Sequence, residues 1–197
     1  KEGIAHSFND IGVIYKNLDK PSKALDYFTR ALEIRLEIGA KANIPSSYNN
    51  IGVIYSIQGN NLEAITFFTK SIDFAKEIGD KEEMINPLYN VAEEYYLLGD
   101  TIKALNCINR SLEISKDISH ADGMISAYYF IGMVYLNQEM VSEAFKYATN
   151  SLSLAQEVGY RRGVKDAASL LKNIYKYQKT RVIKHRRICS LTWEPRY

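Results

Sequence analysis

A catalytic reading of this 197-residue chain would start from its histidines, cysteines and paired carboxylates, because chemistry needs reactive side chains that converge. His6, His120 and His185 stand in unrelated registers, and none pairs with a cysteine or serine motif. Cys107 and Cys189 form neither a disulfide framework nor a four-ligand zinc pattern. Glu82-Glu83 and Glu93-Glu94 are adjacent carboxylates. On a helix such neighbours diverge by about 100° and do not meet on one substrate atom, so both pairs read as solvated helix faces. There is no glycine-rich phosphate loop and no His-Glu-x-x-His. The expectation is a chain with no catalytic residue, no metal ligands and no cofactor.

The elements that carry these residues repeat. Tyr48-Asn49-Asn50-Ile51-Gly52-Val53-Ile54-Tyr55 is echoed by Ile11-Gly12-Val13-Ile14-Tyr15, Val91-Ala92-Glu93-Glu94-Tyr95, Ile131-Gly132-Met133-Val134-Tyr135 and, more weakly, Leu171-Lys172-Asn173-Ile174-Tyr175. A period of 40 residues, marked by tyrosines at 15, 55, 95, 135 and 175, indicates a stacked repeat array. Each unit holds two blocks of helical periodicity around a turn. In the second unit these run from about Ile44 to Ile57 and from about Leu62 to Ile78. Gln58-Gly59-Asn60-Asn61 separates them, and Gly79 ends the second; Gly39, Ser119 and Gly159 share its register. About nine or ten helices and no strand are expected. Tyr48, Ile51, Gly52 and Tyr55 form one stripe on the first helix, and Ala64, Phe68 and Ser71 form one on the second. Glycine inside a helix costs about 1 kcal/mol relative to alanine, so Gly12, Gly52 and Gly132 are expected where the second helix packs close.

Phe8-x-x-Ile11-Gly12-x-x-Tyr15 followed by Ala24-x-x-x-Phe28, and Tyr48, Ile51, Gly52, Tyr55, Ala64 and Phe68 after it, resemble the tetratricopeptide repeat. The third unit is looser, with Leu88, Ala92 and Ile108; the fourth keeps Tyr128, Gly132, Tyr135 and Ala144 but has Ala148 for the phenylalanine. The unit is longer than the common 34-residue form, and Leu36, Lys76, Lys116 and Gln156 replace the family's late proline. In period it is similar to the repeats of spindle-orientation adaptors and of sensor segments in bacterial signalling proteins. The resemblance implies an all-α fold, a right-handed superhelical solenoid of antiparallel helix pairs. It would cover residues 1–178 as four repeats plus the first helix of a fifth, which acts as a cap.

In that family the face of the first helices away from the core lines a concave peptide-binding groove. Here it holds His6, Asn9, Val13 and Lys16; Ser46, Asn49, Val53 and Ser56; Asn86, Tyr89, Glu93 and Tyr96; and Ser126, Tyr129, Met133 and Leu136. Asn9, Asn49 and Asn86 could hydrogen-bond an extended backbone. Tyr89, Tyr96, Tyr129 and Met133 offer apolar anchors, and Val53 and Glu93 complete the candidate site. Only Lys16 among these sixteen positions is a lysine or arginine, so acidic chaperone tails should bind poorly.

Residues 1–171 carry 17 Lys/Arg against 22 Asp/Glu, a net −5, whereas 172–197 carry 8 against 1, a net +7. An acidic array disfavours nucleic acid, which only the basic tail 179–197 could attract. That tail reads either as a native extension, with an irregular helix from about Thr180 to Leu191, or as a cloning or frameshift product. No run of about 18 apolar residues predicts a membrane span. Cysteine usage fits a reducing compartment, and a cytoplasmic location is expected; opening at Lys1 inside the repeat register suggests excision from a longer protein. The reading is a non-enzymatic scaffold that binds a protein or peptide in extended or helical form. The alternative is a regulatory peptide-sensing segment of a larger bacterial signalling protein with a kinase, cyclase or helix-turn-helix output.

Overall fold

The chain is seen as a computed structural model that describes residues 1–191, with side chains described through Arg181. Among the described residues it forms nine α-helices and no strand: α1 (Glu2–Asn17), α2 (Pro21–Ile38), α3 (Ile44–Ile57), α4 (Asn61–Glu77), α5 (Ile85–Leu97), α6 (Thr101–Asp117), α7 (Ala121–Asn137), α8 (Val141–Glu157) and α9 (Arg161–Leu191). Two 3₁₀ turns, Lys41–Asn43 and Glu82–Met84, lead into α3 and α5. The turn inside each hairpin is made by Asp19, Gly59, Gly99 and Glu139, and all four take positive φ. Glycine adopts that conformation without a Cβ penalty; Asp19 and Glu139 adopt it at a cost. The described chain groups into two compact units, Lys1–Gly123 and Met124 onward.

In the first unit, α1 with α2, α3 with α4, and α5 with α6 form the expected hairpins. Ala24, Phe28, Leu32, Ile44, Ile51 and Ile54 make one core cluster, and Ala64, Phe68, Ile72, Ala75, Met84, Leu88 and Val91 make the next. The glycine expectation is refined here. A Cβ on Gly52 would lie 2.6 Å from the Phe68 ring, and one on Gly12 would lie 2.7 Å from Phe28, so the glycines make room for a ring one turn past the alanine. The third repeat has the smaller Ile108 in the phenylalanine register and accordingly carries Ala92 in place of glycine. Ser71 donates to the Pro45 carbonyl at 2.7 Å, and Ser111 to that of Ile85 at 3.1 Å; each buried hydroxyl so finds an acceptor in the first turn of the first helix. Lys1–Glu37, Lys41–Glu77 and Lys81–Asp117 pair in the same register, but these exposed pairs contribute little stability.

One expected stripe changes. The tyrosines at 15 and 55 are half-buried rather than central, and they stack on second-helix rings, Tyr15 on Tyr27 at 5.4 Å and Tyr55 on Phe67 at 5.1 Å. The most enclosed position is instead the one just before the tyrosine, held by Ile54, which is 0% exposed against the preceding second helix. Glu94 occupies this position in the third repeat and is 2% exposed, with its Oε2 lacking a hydrogen-bond partner. The solvated-face reading of Glu94 is therefore corrected: a residue at that register packs between repeats.

In the second unit α8 and α9 pack through Ala144, Ala148, Leu170 and Ile174. Tyr135 stacks on Tyr147 at 5.6 Å, and the Tyr177 hydroxyl donates to the Glu139 carboxylate. The helix α9 runs unbroken through the place where a hairpin turn would fall, rather than starting again near Thr180. Lys179 stands in the register of Gly59, and the Thr180 hydroxyl donates back to the Lys176 carbonyl at 2.9 Å instead of capping a new helix. Of the basic tail expected at 179–197, the side chains from 182 on, His185 and Cys189 included, and all of 192–197 lie outside the described residues.

Candidate functional site

Hairpins in 40-residue register bring the same face of α1, α3 and α5 side by side, and the asparagines on it bond to one another. Asn50 Nδ2 donates to Asn9 Oδ1 at 3.0 Å, and Asn90 Nδ2 donates to Asn49 Oδ1 at 2.9 Å. Asn50 and Asn90 were not among the expected groove residues. Their signal was present in the sequence, since each follows a groove position by one residue and so sits 41 residues after the preceding repeat's asparagine. These rungs consume the Oδ1 acceptors of Asn9 and Asn49 and orient their amides.

Ser46, Asn49, Asn50, Glu82, Glu83, Ile85, Asn86, Pro87 and His120 line a cavity of about 270 Å³ at the start of α3 and α5. His120 Nε2 stands 4.0 Å from Glu82 Oε1, while His120 Nδ1 accepts from the Gly123 amide at 3.0 Å. The solvated-face reading of Glu82-Glu83 is corrected for Glu83, which is half-buried in this lining, and His120 had no expected role, because only the hairpin fold brings residues 38 positions apart together. Burial pushes the Glu83 carboxyl above its ordinary value, the Asp80 and Glu82 charges push it further, and Arg35 opposes. Arg35 is itself enclosed, and its Nη1 donates to the Asn43 carbonyl at 3.2 Å and to Ser47 Oγ.

Farther along the same face, Tyr89, Glu93 and Tyr96 follow one another on α5. Partial desolvation in the groove raises the Glu93 carboxyl although the residue keeps an exposed surface, the hydroxyl of Tyr89 donates to it and opposes that rise, and the neighbouring Glu94 adds to it. Tyr89 and Tyr96 are half-buried, Asn86 and Glu93 exposed. Val53 packs against the core cluster around Phe68 and so serves structure as well as surface. Tyr129 and Met133 belong to the second unit, where they are half-buried against the Ala144–Ile174 cluster. Among the described residues no group of three or more His, Cys, Asp or Glu could hold a metal ion, and no helix is long and apolar enough to cross a membrane.

Similar proteins agree with this architecture. The tetratricopeptide repeat models match residues 43–117, and 5–37 together with 125–157. Among curated protein sequences none matches. The fold is similar to BtubC of P. vanneervenii, at 15% identity over 100% of this chain and 84% of that one, with a TM-score of 0.76. It is similar to aspartyl phosphate phosphatase F of Bacillus subtilis, at 14% identity and a TM-score of 0.80, over 92% of this chain but only 51% of that one. A Podosopora anserina protein assigned as a kinesin light chain, with nearly identical TPR-like repeats, matches at 12% identity over 91% and 97%, with a TM-score of 0.65. At such identities the structures speak for the fold alone. With family models covering most of its length, and with helical hairpins in register along it, the chain belongs to the tetratricopeptide repeat family.

Proposed function

We propose that the chain is a non-enzymatic scaffold whose first unit binds an extended peptide along the face of α1, α3 and α5. Tetratricopeptide repeats mediate protein–protein interaction in general, and the family is generally non-catalytic. The observation that carries the finer reading is the pair of asparagine rungs, Asn9–Asn50 and Asn49–Asn90, continued on the same face by Tyr89 and Tyr96. Oriented side-chain amides can bond a peptide backbone without regard to its sequence, and tyrosine rings add apolar area with a polar tip. Tyr129 and Met133 are proposed as further contacts on the second unit.

A selection of random peptides displayed on phage, followed by mapping of the bound footprint by amide resonance shifts, tests this reading. Footprints on Asn9, Asn49, Asn86, Tyr89, Glu93 and Tyr96 support it; footprints confined to α2, α4 and α6 would overturn it. A peptide-sensing segment of a larger signalling protein would use the same face. An output domain encoded beside these repeats, with activity that changes when peptide is added, would separate sensor from plain scaffold.

A further inference from the structure

Charge is uneven over the first unit, where residues 1–123 hold 13 Lys/Arg against 18 Asp/Glu. Around the cavity the imbalance sharpens. Glu82 and Glu83 line it, and Asp80 lies behind them with its Oδ1 accepting from the Glu83 amide at 3.1 Å. Glu93 stands on the same groove face. Lys41 and Lys81 are committed to Glu77 and Asp117, and buried Arg35 to Asn43 and Ser47, so that His120, 4.0 Å from Glu82, is the basic side chain in the lining. The Glu83 carboxylate makes no salt bridge within 4.0 Å among the described residues, although the Arg35 charge acts on it from farther away. The Asp80 and Glu82 charges penalise the ionised form of Glu83, and a bound cation would relieve that penalty.

We propose that the partner of this groove is an extended peptide bearing an arginine or lysine whose cationic head enters the cavity between Ser46, Glu82, Glu83 and Asn86. The inference rests on the groove reading above and names the chemistry of its partner. The volume, about 270 Å³, falls just below the roughly 300–1,000 Å³ of sites that enclose whole small molecules, so it suits one side chain. A guanidinium offers five donors, and this wall is rich in acceptors: two carboxylates, the Ser46 hydroxyl and the amide oxygens of Asn50 and Asn86. The start of α5 also faces the cavity and would by itself favour an anion. Glu82 and Glu83 already supply that negative charge, and Pro87 offers no N–H, so an acidic ligand would meet like charges.

The test titrates the isotope-labelled chain with N-acetylarginine methylamide, and in parallel with the corresponding norleucine and glutamate compounds. The arginine probe alone should shift the amide resonances of Ser46, Glu83 and Asn86 in a saturable way. The Glu82→Gln/Glu83→Gln variant should weaken it about tenfold, as should Asn86→Ala combined with either change, and about 0.5 M salt should weaken it further. No shift, or equal shifts from the norleucine or glutamate probe, would overturn the proposal. Phage-selected peptides distinguish the two readings. Binders that map to Asn49 and Tyr89 yet show no enrichment of arginine or lysine overturn this inference and leave the groove reading standing. Binders that map to another face overturn both.

Discussion

Replacing Glu94 with isoleucine should make this protein more stable, although it removes a charged residue from a helix rich in polar ones. The position before the repeat tyrosine is Ile54 in the second repeat, Val134 in the fourth and Ile174 in the fifth unit, each 0% exposed; Glu94 is 2% exposed. Its Oε2 has no hydrogen-bond partner, and a buried group left unsatisfied costs about 1–3 kcal/mol. The methylenes of Glu94 are already buried, so isoleucine adds only about 0.8 kcal/mol for each further carbon, and imperfect fit in a site shaped around glutamate offsets this by up to about 1.5 kcal/mol. A net gain of about 1–3 kcal/mol follows, and in a chain of this size each kcal/mol moves Tm by about 2–4 °C. Because repeat arrays can unfold in stages, the assay is a thermal melt followed by circular dichroism together with hydrogen exchange on α5. The opposite swap, Ile54→Glu, should cost about 3 kcal/mol or more, since it buries a new unpaired charge. If Glu94→Ile melts at or below the parent temperature while Ile54→Glu is mild, the carboxylate is well accommodated and the reasoning about this register fails.

Gly52→Ala should destabilise by about 1–3 kcal/mol despite alanine's better helix propensity, because the Cβ meets the Phe68 ring at 2.6 Å. Adding Phe68→Ile, which copies the Ala92–Ile108 pairing of the third repeat, should return part of that loss, and a double-mutant cycle by urea unfolding reads the coupling. Ala64→Lys places a charge in the core and should cost several kcal/mol, whereas Ser56→Lys should change Tm little; equal melts would mean the two faces have been exchanged. For a peptide selected on the groove, Tyr89→Ala should weaken binding by about tenfold or more and Asn49→Ala by less, as read by calorimetry, because an aromatic anchor outweighs a hydrogen bond exchanged with water. Glu83 and Glu93 have folded-state carboxyls raised above 4.5, so their contribution to stability is present below that pH and is lost as pH rises through the folded value. Glu83→Gln should accordingly flatten the fall in stability between pH 4 and 7, measured as Tm against pH.

The helices, their hairpin pairing and their turns were legible because they obey local rules repeated at a constant interval. Gly59 and Gly79 mark chain reversals, Ala64 and Phe68 mark a helix face, and five tyrosines in register exclude any other period. The helix α9 is the instructive exception at the local level: Lys179 lacks the glycine of Gly59 and Gly99, but Glu139 turns in the same register without glycine or proline, so the local signal alone did not decide that α9 runs on. Contacts between repeats were not legible in this way. Whether Tyr55 or Ile54 is the more enclosed depends on how the preceding second helix packs, and Ile54 shares a core cluster with its Ala24, Phe28 and Leu32. The asparagine rungs join residues 41 apart, and the cavity joins His120 to Glu82, 38 apart. Periodicity assigns each residue to a face of its own helix, but the distance from one helix to the next arises only when the side chains of both pack. For that reason Asn50, Asn90, Glu94 and His120 acquired their roles in the folded array.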